Sequence, residues 1–226
     1  LGEAEQRVRG AAANSSLTLP RRRVTVNLSP ASLPKHGSGF DVAIAVATLA
    51  TDGYLDLASL ARTVHIGELG LDGRLRPVSG VLPAVVAAAR AGLTHVVVPR
   101  ANEDEARLVE GMTVIGAVTL GDVALWHGAE LEPSNLAPVP AAVVPAPRAF
   151  AGDLSEVIGQ HEAVDALVTA AAGGHHLLMC GPPGAGKTML ASRLPGILPD
   201  LDDAAALEVS SIRSLSGIGI NGLVRE

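Results

Sequence analysis

Eight consecutive residues, Gly181, Pro182, Pro183, Gly184, Ala185, Gly186, Lys187 and Thr188, fit the pattern G-x-x-x-x-G-K-[ST]. The chemistry this pattern serves is anion binding. Glycines let the backbone curl until several N–H groups point at one chain of phosphates, and a helix opening at Met189 adds its positive end. Lys187 supplies a point charge for the β- and γ-phosphates, and Thr188 a hydroxyl for Mg²⁺. With 25 glycines and two lysines in 226 residues, roughly 0.003 matches are expected by chance. The reading requires an apolar strand over 177–180 before the loop and a helix over 189–194 after it.

A second stretch lies upstream, Leu154, Ser155, Glu156, Val157, Ile158, Gly159 and Gln160, leading into a helix over 161–172. Placed some twenty residues before a phosphate loop, it resembles the segment that packs on adenine in AAA+ ATPases. Val157, Ile158 and Gly159 would then offer apolar surface and backbone polar groups to the base. Hydrolysis in such enzymes needs a Walker-B acidic pair, a polar sensor and an arginine finger. The acids after the loop, Asp200, Asp202 and Asp203, follow Pro199 with no apolar strand before them, so they read as helix caps or solvated groups. The chain is therefore expected to bind ATP incompletely and not to turn it over, with no catalytic residue of its own beyond the ATP and Mg²⁺ contacts of Lys187 and Thr188.

Composition narrows the setting. Hydrophobic residues are 48% and charged residues 18% of the chain, enough apolar material for a packed core and too much for disorder. No apolar run reaches the ~18–20 residues of a spanning helix. The single cysteine, Cys180, excludes an internal disulfide framework or a cysteine-based zinc site, and reads as a small buried apolar residue at the end of the strand. No signal peptide is visible and position 1 is Leu1, so the chain reads as a cytoplasmic fragment lacking its true N-terminus. The formal net charge is −6, concentrated beyond residue 150, and aromatics are only 2%. Neither feature favours a grip on DNA. The basic run Arg21, Arg22, Arg23, with Lys35 and His36, could meet DNA but reads as ordinary surface.

The elements that must position the loop divide at 131–150, where five prolines predict a semi-rigid linker. Before it, helices are expected over 3–13, 40–51, 82–91, 102–110 and 120–127, with Ser38 or Asp41 near the start of the second and Asn102 or Ala101 near the cap of the fourth. Strands are expected over 23–28, 63–69, 74–77, 95–98 and 113–117, with a hairpin turn at Asp72-Gly73. The organisation is an α/β domain over 1–130, the linker, and the beginning of a P-loop domain over 151–226, whose last helix is expected over 204–212. His161, His175 and His176 are close in sequence, but adjacent strand residues point apart, so no shared metal site follows.

Taken together, the loop with its flanks, the "VIGQHEA" stretch, "RVTVNLSPASLPKHGSGFDVAIAVATLA" and "GELGLDGRLRPVSGVLPAVVAAARAG" resemble the ComM/YifB group of magnesium-chelatase-like AAA+ ATPases over nearly the whole chain. The resemblance implies a homo-hexameric ring ATPase using ATP and Mg²⁺. ComM-type members act in DNA branch migration, whereas a chelatase-like or chaperone motor acting on a protein, and an ATP-gated scaffold, are the rival functions. The first domain also resembles the α+β fold of the Lon proteolytic domain, which works with a serine nucleophile and a lysine base. Aligned on that pattern, Gly39 falls at the nucleophile and Leu82 at the lysine. Without the base, Ser38 reads as a cap or turn residue, and the domain as non-proteolytic.

Overall fold

The computed structural model describes residues 2–29, 37–141 and 152–225. Two compact units emerge, Leu1–Pro145 with Val209–Leu223, and Ala146–Glu208 with Val224–Glu226. The first runs α1 (Gly2–Asn14), α2 (Asp41–Ala50), α3 (Leu57–Ala61), β1 (Thr63–His65), β2 (Glu68–Leu69), β3 (Leu75–Arg76), α4 (Val81–Arg90), β4 (His95–Pro99), α5 (Glu103–Ala106), β5 (Thr113–Ala117) and α6 (Leu120–Trp126).

Strands β1, β4 and β5 form a parallel sheet with β4 central, Val96 pairing Val64 on one side and Val114 on the other. A parallel strand covered on both faces reads as a continuous apolar run, and Val96, Val97 and Val98 are all fully buried. Successive side chains leave opposite faces. Val97 accordingly joins Ala11, Val42, Leu49 and Leu120 in one core, while Val96 and Val98 join Val81, Val85 and Ala106 in a second. Each fully buried valine contributes about 1.5–3 kcal/mol.

Polar groups fix how these elements meet. Asp41, 1% exposed, takes a two-pronged ion pair from Arg7 (Nε–Oδ2 2.6 Å, Nη2–Oδ1 3.1 Å) and accepts from the Leu69 amide at 3.3 Å. It thereby ties α1, α2 and β2 together. Helix α6 opens on a capping box between Thr119 and Asp122. In the β2–β3 hairpin Gly73 adopts φ +87, and Asp72 turns back onto Arg74 (2.7 Å). Burial pushes the Asp72 carboxyl up, but the hydrogen bonds from Arg74 and the charges of Arg74 and Arg76 prevail and hold it below its ordinary range.

Several expectations are corrected. The alternating residues 23–28 form no ladder with any described residue: Val24 and Val26 stay over a third exposed, and Arg22 before them is drawn to Thr51 and Asp52 instead. Alternation prepares a strand, but a ladder needs a neighbouring backbone. The expected strand 63–69 is interrupted at Gly67 (φ +155) and becomes β1 of the parallel sheet and β2 of the hairpin. The helix expected over 102–110 shrinks to α5 behind a 3-10 turn, Arg100–Asn102. Asn102 holds the N-cap position of α5 as expected, but its side chain makes no capping bond, because its amide is engaged with both Val78 N and Val78 O, each at 3.0 Å. Ser38 is not the cap of α2 either; Phe40 holds that position, and the Ser38 hydroxyl donates to Glu68. Of the linker, 131–141 is irregular and largely exposed; the remainder lies outside the described residues, as do Lys35 and His36.

The second unit contains a 3-10 turn (Leu154–Glu156), α7 (His161–Gly173), α8 (Lys187–Ala191) and the start of α9 (Asp203–Leu215). The expected strand 177–180 is absent among the described residues. That stretch is extended without a ladder, Leu178 is 87% exposed, and Cys180 is exposed rather than buried. An apolar run becomes a strand only where another strand pairs with it, and none of the described residues does. No described helix is long and apolar enough to cross a membrane.

Candidate nucleotide site

The glycine loop is curled. Gly184 (φ +82) and Gly186 (φ +78) adopt the left-handed conformation, which glycine reaches at no steric cost. The Ala185 amide donates to Pro182 O at 3.3 Å, and helix α8 begins at Lys187. Lys187 folds back across the loop, its Nζ donating to Gly181 O and Pro182 O at 2.8 Å each. One ammonium thus closes the ring of backbone that the motif encodes. The amides of Gly184, Gly186, Lys187 and Thr188 donate to no acceptor among the described residues, as expected for a loop running into a first helical turn. Thr188 and Met189 are exposed, while Leu190 behind them is buried and anchors the helix. The loop's amides, Lys187 and the Thr188 hydroxyl fit a triphosphate with its Mg²⁺.

The upstream segment lies beside this loop. Val157 is half-buried, Ile158 is 96% exposed, and Gly159 turns through φ +75. Gln160 follows at φ +53, an uncommon conformation for a residue with a side chain, as the N-cap of α7. Its amide reaches the loop, Nε2 donating to Ala185 O at a long 3.4 Å. It also lies 2.9 Å from where a Cβ on Gly186 would stand. Sequence reasoning placed the segment but missed Gln160 as a loop neighbour.

It also missed Arg193. This guanidinium, 14% exposed, donates to Met189 O, Asp153 O and Glu156 Oε2, each at 2.9 Å. Nothing in a lone arginine beyond a short helix signals such reach. Hydrogen bonds with Ser155 hold the Asp153 carboxyl below its ordinary range.

The acids after the loop do other work. Asp202 accepts from the Ala205 amide at 2.8 Å, a helix-capping bond, and Asp203 pairs with Arg225 at 2.7 Å. In the first unit, Leu82 is fully buried in α4. The buried titratable pair of that unit is instead His65 and His127, Nε2 to Nε2 at 2.8 Å, with His127 Nδ1 at 2.9 Å from Ser59 Oγ. Among the described residues no group of three or more histidine, cysteine or acidic side chains could hold a metal ion.

Family models place this arrangement. Residues 1–102 match the model described as subunit ChlI of Mg-chelatase, and residues 153–225 that described as magnesium chelatase, subunit ChlI. The chain is 47% identical over 218 residues, 96% of its length, to an uncharacterized protein of Mycobacterium tuberculosis. It is 44% identical over 214 residues to competence protein ComM of Haemophilus influenzae and 43% over 213 residues to the uncharacterized protein YifB of Escherichia coli, covering 94% of the chain in each case. It belongs to the ComM/YifB family of magnesium-chelatase-like AAA+ ATPases. The chain spans 41–42% of the length of these relatives. An archaeal Lon protease of Pyrococcus abyssi matches a shorter stretch, 36% identical over 90 residues, 39% of this chain and 8% of that protein.

Proposed function

We propose that residues 181–188 bind the triphosphate of ATP, with Thr188 holding its Mg²⁺ and Val157, Ile158 and Gly159 facing the adenine, at the beginning of an AAA+ module. Pro182, Pro183 and Ala185 shape the turn, and Met189 lies in the first turn of α8, which opens at Lys187, two residues before the start expected from the sequence. The observation that carries this reading is the closure of the loop by Lys187, whose ammonium bridges the carbonyls of Gly181 and Pro182. Phosphate oxygens would replace those carbonyls as its partners. The loop and the ammonium form a cradle for an anion of several charges, and Mg²⁺ would supply neutralisation of the β- and γ-phosphates. In the intact protein Lys187→Ala is expected to weaken ATP binding at least tenfold and abolish turnover, measured by calorimetry and phosphate release. Unchanged affinity and turnover would overturn the assignment.

The intact protein is proposed to be a hexameric ring motor acting on DNA in the cytoplasm, with its first domain a non-proteolytic module. The name of the Haemophilus relative, a competence protein, supports the DNA reading; buried Leu82 in place of a lysine base supports the non-proteolytic one. The match to chelatase models favours a second reading, a motor that remodels a protein partner. Branched or single-stranded DNA added to the intact enzyme separates them. Stimulated ATP turnover supports the DNA motor, and unaltered turnover supports the protein-directed one.

A further inference from the structure

We propose that Arg193 is a positioning residue that locks the base-facing segment 153–159 to the helix carrying Lys187 and Thr188, and thereby sets the preference for an adenine nucleotide over a bare triphosphate. The inference rests on the nucleotide reading above. Arg193 leaves the end of α8, its own amide donating to Leu190 O at 3.1 Å. Its planar fork then divides between two segments. Nη1 holds Met189 O of α8, whereas Nε holds Asp153 O and Nη2 holds Glu156 Oε2, both on the turn immediately before Val157. Only a guanidinium has donors spread widely enough to satisfy three such acceptors in fixed directions.

The surroundings are fitted to this fork. Gly152 leaves room for it, since a Cβ there would stand 2.9 Å from the Arg193 Cζ. Glu156 is 58% exposed on its side chain, so the ion pair by itself adds little stability; the value of the arrangement lies in what it aligns. At the far end of the same segment Gln160 touches the loop at Ala185 O. Residues 153–160 are thus held at both ends against the phosphate-binding elements. Between those ends Ile158 and Gly159 stay open to solvent, free to meet a base. A segment ordered before the ligand arrives costs less to order on binding, and that gain falls on base contacts alone.

The test compares two ligands on the intact protein, Mg·ATP and inorganic tripolyphosphate, by calorimetry. Arg193→Met is expected to raise the Kd for ATP about tenfold and leave that for tripolyphosphate within about twofold. Glu156→Gln should move ATP in the same direction by less. An equal loss for both ligands, or no loss for either, overturns the proposal. If Arg193→Met fails to fold, Glu156→Gln at its exposed site decides the matter by the same ratio of the two affinities. Lys187→Ala serves as the control: if tripolyphosphate binding survives it, the phosphate assignment itself is wrong and this inference falls with it, whatever Arg193 does.

Discussion

Gly186 occupies the point of the loop where a side chain is least tolerable. Its φ of +78 costs an L-residue about 1–2 kcal/mol, and a Cβ there would press on Gln160 Nε2, the movable end of a side chain, at 2.9 Å. Gly186→Ala is therefore expected to weaken ATP binding about tenfold while circular dichroism keeps its helical signal. Adding Gln160→Ala should recover only the part due to the clash, because the backbone conformation is untouched. The histidine pair makes the second prediction at this scale. Burial, then the charge of His127, lowers the His65 imidazole to about 4, and burial lowers His127 against the opposing pull of Asp56. Across their 2.8 Å contact one ring donates and the other must offer a lone pair, so protonating both sets two N–H groups face to face. Because the folded value lies below the unfolded 6.5, the unfolded chain binds more protons between pH 6.5 and 4. The stabilisation is complete above pH 6.5 and is lost as pH falls through that window, by about 3 kcal/mol from His65, with the lowered His127 adding in the same direction. Urea unfolding at pH 7.5 and 4.5 measures it, and His65→Leu should remove most of the difference between the two.

The elements divide into those whose signals are local and those that depend on a neighbour. Helices α1, α2, α4 and α7 and strands β4 and β5 were legible because apolar spacing, the glycine after a helix end and an unbroken valine run are written in consecutive residues. The hairpin turn at Gly73 was legible for the same reason. The stretches 23–28 and 177–180 carry strand composition yet no ladder among the described residues, since pairing is a property of two segments. Asn102 stands at the N-cap of α5 as its sequence suggested, but its side chain bonds a backbone 24 residues away at Val78 instead of the helix. The loop of the candidate site was read from its motif, while Gln160 and Arg193 were not, because each acts across 25 to 40 residues. Asp41 has the same long reach, and it sets the prediction at this scale. Asp41→Ala leaves the partly exposed Arg7 with only Glu3 at 3.6 Å and takes an acceptor from the buried Leu69 amide, so it should cost about 2–3 kcal/mol. Thr119→Ala, which loses one side of a capping box, should cost about 1 kcal/mol. Chemical denaturation that ranked Thr119 above Asp41 would contradict the view that the buried ion pair, rather than helix capping, joins α1, α2 and β2.

For the molecule as a whole, the question is where turnover comes from. The binding groups proposed above lie in 181–188, but cleavage of a phosphoanhydride also needs an acid that holds the metal and orders water. Of the acids that follow the loop, Asp202 is committed to the Ala205 amide at the start of α9. Its neighbour Asp203 is committed to Arg225. Neither is preceded by the apolar strand that would carry it to the phosphates, and the stretch 177–180 likewise stands without a sheet among the described residues. The chain spans about two fifths of the length of its relatives. Asparagine caps a helix as well as aspartate does, so Asp202→Asn in the intact protein should leave ATP turnover within about twofold and thermal stability within about 0.5 kcal/mol. A true metal-holding acid would lose a hundredfold or more by the same change, consistent with the several kcal/mol such groups supply to the transition state. Phosphate-release assays on that one variant decide between a helix cap and a catalytic carboxylate. A collapse of turnover with α9 intact would move Asp202 from the scaffold of this unit into its chemistry.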